Sequence, residues 1–90
     1  MAWKVEFDPT AERDLNRLDP QHARKILTFL SERIAKDEDP RRFGAPLRSN
    51  FAGLWKYRVE DYRLICDIQE EKVLVLVLHL GHRSKVYGGH

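Results

Sequence analysis

Trp3, Val5 and Phe7 alternate with Lys4 and Glu6, a period of two that predicts a short strand with one face on a core. Asp8-Pro9 then offers an N-cap carboxylate followed by proline at the first helical position, and Ala11, Leu15 and Leu18 recur at helical spacing. Asp19-Pro20 repeats that start, and Ala23, Ile26, Leu27, Leu30 and Ile34 carry an apolar stripe on to about Lys36. The expectation is a helical hairpin whose stripe packs on the sheet.

From Asp37 to Gly53 the periodicity disappears, and Pro40, Gly44, Pro46, Ser49, Asn50 and Gly53 punctuate a long loop. Arg41, Arg42 and Arg48 within it read as solvated side chains, with phosphate contact as the alternative. Leu54 to Val59 and Tyr62 to Ile68 are rich in aromatic and branched residues and are separated by Glu60-Asp61, the pattern of an antiparallel hairpin. Glu71-Lys72 marks a further turn. Val73 to Leu80 is apolar on both faces, as expected of a central strand. The order is β-α-α-β-β-β: an α+β fold with a four-stranded, mostly antiparallel sheet and the helical hairpin on one face.

Ninety residues allow a single domain, taken as 1–90, and 42% hydrophobic with 33% charged residues suits a small globular chain. The single cysteine, Cys66, excludes an internal disulfide framework or a cysteine-rich zinc site and is expected to be a small core hydrophobe. The apolar run Val73 to Leu78 is far short of the ~18 residues of a membrane span, and the opening Met-Ala-Trp-Lys-Val-Glu lacks a signal-peptide pattern. A cytoplasmic protein without membrane contact is expected. Net charge is uneven: residues 1–40 carry seven Lys or Arg against nine Asp or Glu (−2), and residues 41–90 carry nine against five (+4). No acidic residue follows Glu71, so the later half should attract polyanions such as RNA or DNA, unless it is merely a solvated basic face.

Alternation places Lys56 and Arg58 on one face of their strand, and a connecting loop of two or four residues would set Arg58 directly opposite Arg63. Like charges facing each other across a ladder are destabilising, so folding gains nothing from the arrangement. A phosphate clamp explains it; the alternative is that the side chains splay into water or are neutralised by Asp67 and Glu60. Gly81 permits a bend after the central strand that would let His82, Arg83 and Tyr87 swing towards this face. His79 and His82 should point apart and lack a third ligand, so no metal site is expected. His22 and His90 are expected to face solvent, and Trp3 and Trp55 to pack, with Trp55 as a possible groove wall.

The Pro-Leu-Arg loop, Leu54-Trp55-Lys56-Tyr57-Arg58-Val59, Asp61-Tyr62-Arg63-Leu64-Ile65 and the ending Gly81-His82-Arg83 with Val86-Tyr87 resemble the RelE toxins of bacterial and archaeal type II toxin-antitoxin systems. The resemblance spans nearly the whole chain and implies a RelE-like, microbial-RNase-like fold. It also implies a ribosome-dependent endoribonuclease that cuts messenger RNA in the ribosomal A site, with Lys56, Arg58, Arg63, Arg83 and Tyr87 at the catalytic positions. Cleavage by 2′-hydroxyl attack needs alignment, a base, stabilisation of the phosphorane and a proton for the leaving 5′-oxygen. Arg63 and Arg83 suit the phosphorane. Tyr87 is base or stacking platform, Lys56 charge stabiliser or alternative base, and His82 either general acid or turn residue. Arg58, His82, Lys85 and Arg48 are assigned to substrate contact. No cofactor is implied; the partners are a RelB-like antitoxin, the ribosome with its messenger, and operator DNA only through the antitoxin complex. The competing readings are a ParE-like inhibitor of DNA gyrase and a non-catalytic RNA-binding domain.

Overall fold

The computed structural model describes residues 2–48 and 53–82. Strand β1 (Lys4–Phe7) leads into helices α1 (Pro9–Asn16) and α2 (Pro20–Phe29), and a π turn over Leu30–Ile34 carries α2 onward. After a 3-10 turn at Pro40–Phe43 come β2 (Ala45–Pro46), β3 (Trp55–Val59), β4 (Tyr62–Gln69), a 3-10 turn at Glu70–Lys72, and β5 (Leu74–His82). Asp8 caps α1 as its spacing predicts, its carboxylate accepting from the Thr10 N–H at 3.1 Å. Asp19 makes no such bond with its side chain. At that corner the Asp19 carbonyl accepts from the His22 and Ala23 N–H groups, and Pro20 alone pre-sets the first turn.

The sheet has five strands in the order β1-β5-β4-β3-β2, not the four expected. β5 pairs in parallel with β1, whereas β2–β3, β3–β4 and β4–β5 are antiparallel. The extra strand is Ala45–Pro46, which lies along Lys56 and Trp55 and is extended by a bond from the Leu47 N–H to the Leu54 carbonyl. A two-residue strand is too short to show a period, and its proline is tolerated because it sits on the outer edge. Gly44, immediately before it, allows the close approach: a Cβ there would come within 2.9 Å of both the Lys56 carbonyl and the Tyr57 ring.

One core lies between the helices and one sheet face, built from Trp3, Ala11, Ile26, Leu30 and Ile34 against Tyr57, Leu64, Cys66, Val75, Val77 and Leu80. The apolar spacings of α2 and its π turn therefore face the sheet as predicted. Tyr57 is fully buried, and its hydroxyl donates to the Pro40 carbonyl at 2.7 Å, tying the start of the long loop to β3. The strand pairing is irregular at one point. Ile65 faces His79 and the next residue, Cys66, faces Val77, which leaves Leu78 as an extra residue on β5. Val75 and Val77 point into the core before this bulge and Leu80 after it, so the bulge shifts the inward-outward phase of the strand by one residue. No helix among the described residues is long and apolar enough to cross a membrane.

Burial pushes the pKa of both the Cys66 thiol, with Asp67 adding to it, and the Tyr57 hydroxyl, with the Cys66 sulfur next in weight, far above their ordinary values of 9.0 and 10.0. Unfolding releases both groups to ionise normally. In alkaline solution the unfolded chain then binds fewer protons than the native one, and stability falls as pH rises. Urea unfolding between pH 8 and 11 should show the unfolding free energy declining from about pH 9 upward, with a shallower decline in Cys66→Val. In the same assay Gly44→Ala should cost about 1–3 kcal/mol, because the added methyl meets backbone and a buried ring.

Candidate functional site

The turn joining β3 to β4 consists of Glu60 and Asp61, with Glu60 in the left-handed region at φ 56°. This short connection sets the register that the sequence argument required: Arg58 lies directly opposite Arg63, and Lys56 opposite Ile65. Tyr57 and Leu64 point into the core between these pairs, so Lys56, Arg58 and Arg63 share the sheet face turned away from the helices. Ile65 is 4% exposed, although it stands apart from the main core on this outer face. The cations thus rise from an apolar floor rather than from a loop.

Nearby acids are engaged by other groups. The Glu60 carboxylate bonds Lys25 of α2 at 2.8 Å, and Asp67 accepts from the Gln69 amide at 2.9 Å. Arg58 donates through Nε to the Glu60 carbonyl at 3.3 Å and Arg63 to the Tyr62 carbonyl at 3.4 Å. Among the described residues neither guanidinium has a carboxylate partner, so the neutralisation considered above does not occur. By contrast, Arg41 pairs with Asp39 and Glu70 at 3.2 and 2.6 Å, and Arg42 with Asp37 at 3.3 Å, so these loop arginines are neutralised rather than merely solvated. Arg48 is exposed at the end of the β2 segment.

The histidines divide differently from expectation. His82 pairs with Tyr62, and Tyr62 packs on the core, so His82 lies on the helix side with its ring 6.0 Å from the Tyr62 ring at an edge-on angle. It does not swing towards the cations, because the bulge at Leu78 has changed the phase of the strand. His22 also packs on Tyr62, ring centroids 5.2 Å apart, with its Nδ1 buried and 3.9 Å from Glu60 rather than facing solvent. His79 is the histidine that the bulge turns to the outer face, exposed and opposite Ile65, diagonal to Arg63. Sequence reasoning weighed His79 only as a metal ligand. With Val77, Leu78 and Leu80 all apolar, no polarity signal reveals which residue is the extra one. Trp55 lies on the helix side under the Arg41 guanidinium, 5.9 Å from its ring, and does not wall this face. Arg83, Lys85 and Tyr87 lie outside the described residues.

The family model described as the ParE toxin of type II toxin-antitoxin system, parDE, matches residues 5–87. This chain belongs to the RelE/ParE family of toxins. Toxin RelG of Mycobacterium tuberculosis is similar to this RelE/ParE toxin at 34% identity over 87 residues, covering 97% of this chain and 98% of RelG. Toxin RelE of the same organism is 33% identical over 85 residues, covering 94% of this chain and 86% of that one. In solved structures, the toxin-antitoxin complex RelBE2 of M. tuberculosis contains a chain similar at a TM-score of 0.85 and 33% identity, covering 94% of this chain and 95% of that chain. The fold class and the family expected from the sequence are thereby established for this RelE/ParE toxin.

Because Arg58 and Arg63 face each other without a counter-ion among the described residues, removing one should not weaken the fold. Arg58→Thr, which keeps a good strand former, is expected to leave the unfolding free energy unchanged or raise it by up to ~1 kcal/mol at low salt, with the gain shrinking in 0.5 M salt. Chemical denaturation at the two salt concentrations measures this; a loss above ~1 kcal/mol would show that the pair supports the structure.

Proposed function

We propose that this toxin is a ribosome-dependent endoribonuclease that cleaves messenger RNA in the ribosomal A site and so stops translation. The observation that carries the reading is the outer-face set Lys56, Arg58 and Arg63, whose two guanidiniums repel each other and lack acidic partners among the described residues. A site that sacrifices stability in this way is suited to an anion arriving from outside, and planar guanidiniums match a phosphodiester in two-point geometry. The curated relatives named RelG and RelE support the same reading.

In the proposed reaction the 2′-hydroxyl attacks the adjacent phosphorus. Arg63, with Arg83, carries the charge that accumulates on the phosphorane, each well-placed donor contributing roughly 3 kcal/mol. The proton of the 2′-hydroxyl goes to Tyr87 or Lys56, the two groups near the site that can accept one in their deprotonated form. Arg58, Arg48 and Lys85 hold the flanking backbone. His82, on the helix side, is left out of the chemical step and contributes through its packing on Tyr62.

The partner is a RelB-like antitoxin, a reading supported by the similarity to the toxin chain of a toxin-antitoxin complex. An acidic or amphipathic segment laid over the basic face would neutralise Arg58 and Arg63, which have no carboxylate partner among the described residues. Operator DNA is then reached through the antitoxin, and the place of action is the cytoplasm, where translating ribosomes are. A second reading, inhibition of DNA gyrase, is favoured by the ParE name of the matching family model.

In-vitro translation with the purified toxin, followed by primer extension, decides among these. Codon-phased cuts are expected, reduced about 10²- to 10³-fold by Arg63→Ala. Intact messenger together with salt-dependent RNA binding supports a non-catalytic domain instead. Loss of supercoiling by purified gyrase without messenger cleavage establishes the gyrase reading.

A further inference from the structure

We infer that His79 is the general acid of this site, donating the proton that the 5′-oxygen needs as it leaves. The inference rests on the ribonuclease reading above and adds the group that reading lacks. Three observations place it. The bulge at Leu78 puts His79 on the same sheet face as Lys56, Arg58 and Arg63. Its row across the sheet runs Lys56, Ile65, His79, with Ile65 buried between them, so the backbones of Lys56 and His79 stand on opposite sides of one apolar floor, about two strand spacings or ~10 Å apart. Long side chains on both flanks can lean over that floor. His79 is also uncommitted: it is exposed and has no hydrogen bond, ion pair or ring contact among the described residues, whereas His22 and His82 both pack on Tyr62.

In-line attack demands this kind of arrangement, since the entering and leaving oxygens lie on opposite sides of the phosphorus. With Arg63 diagonal to His79 and Arg58 beyond it, the phosphoryl oxygens meet the guanidiniums while acid and base flank them. The 2′-oxygen forms a bond to phosphorus and its proton passes to the base, Lys56 or Tyr87. The bond from phosphorus to the 5′-oxygen breaks, and that oxygen takes the imidazolium proton, giving a 2′,3′-cyclic phosphate and a 5′-hydroxyl. Among the described residues the charged and titratable groups on the face of His79 are Arg63 and Asp67 on β4, Lys56 beyond them on β3, and Glu6 on β1, opposite Leu76. Asp14 of α1 is held at the opposite edge of β5, accepting from the Leu80 N–H at 3.4 Å. An imidazole in this setting must be protonated to act, so the acid-dependent limb of the rate should fall as pH rises.

The test is a messenger carrying a single bridging sulfur in place of the 5′-oxygen at the cut site, loaded on ribosomes beside its all-oxygen twin. A thiolate leaves without protonation, the thiol being acidic near pH ~8.5, so general-acid help becomes unnecessary. His79→Gln is expected to cut the oxygen substrate about 10²-fold more slowly than the wild-type toxin, and the sulfur substrate within a few-fold of it. The alkaline fall in the wild-type rate should also be absent from the variant. Undiminished cleavage of the oxygen substrate by His79→Gln, or an equal loss on both substrates, overturns the assignment while leaving the ribonuclease reading intact. Failure of the wild-type toxin to cut either messenger overturns both.

Discussion

Strand β5 is the constraint on which the rest of the molecule depends. It lies between β1 and β4, pairs in parallel with one and antiparallel with the other, and sends Val75, Val77 and Leu80 into the core beneath the helices. A strand so enclosed has little freedom to slip, because a one-residue shift would move every side chain to the opposite face. The bulge at Leu78 makes that slip once, locally and permanently. Before it the strand is ordinary core; beyond it the outward positions belong to His79 and Gly81, which extend the row of Lys56 and Ile65 and the row of Arg58 and Arg63. The composition of the outer face therefore follows from one inserted residue.

Charge is distributed with the same consequence. The chain holds nearly as many acids as bases, yet the fold directs the acids to other tasks. Glu60 is bound to Lys25 across the β3–β4 turn, Asp37, Asp39 and Glu70 hold the loop arginines, Asp14 caps the open edge of β5, and Asp8 caps α1. Exposed pairs of this kind contribute little individually to stability, typically 0–1 kcal/mol. Their larger effect is subtractive: each occupied carboxylate is one that does not neutralise Arg58 or Arg63. A modest net charge can in this way coexist with a concentrated positive face.

Tyr57 and Tyr62 show how one aromatic pattern serves two ends. Tyr57 is sealed in the core, with its hydroxyl on the Pro40 carbonyl and its ring edge-on to Phe29, and it anchors the long loop to the sheet. Tyr62, five residues on in the partner strand, is half-buried in contact with both His22 and His82 and joins the end of the sheet to the first turn of α2. That stack withdraws both histidines from the outer face, which is why the chemistry of that face falls to His79.

The sequence by itself determined the element order, both helix starts, the apolar face of α2 and the pairing of Arg58 with Arg63. Each of these depends on local periodicity or on a short turn whose length fixes register. It also determined the family, through the Tyr-Arg-Leu-Ile segment and the glycine-histidine-arginine ending that follow the hairpin. Only the tertiary structure decided the fifth strand, which is two residues long and exists because β3 has an edge to pair. It likewise decided the allocation of acids to distant bases, and the direction in which each histidine of β5 points. In an uninterrupted apolar strand no alternation is written into the residues, so the position of a bulge, and with it the face each later side chain occupies, is chosen by which arrangement fills the core.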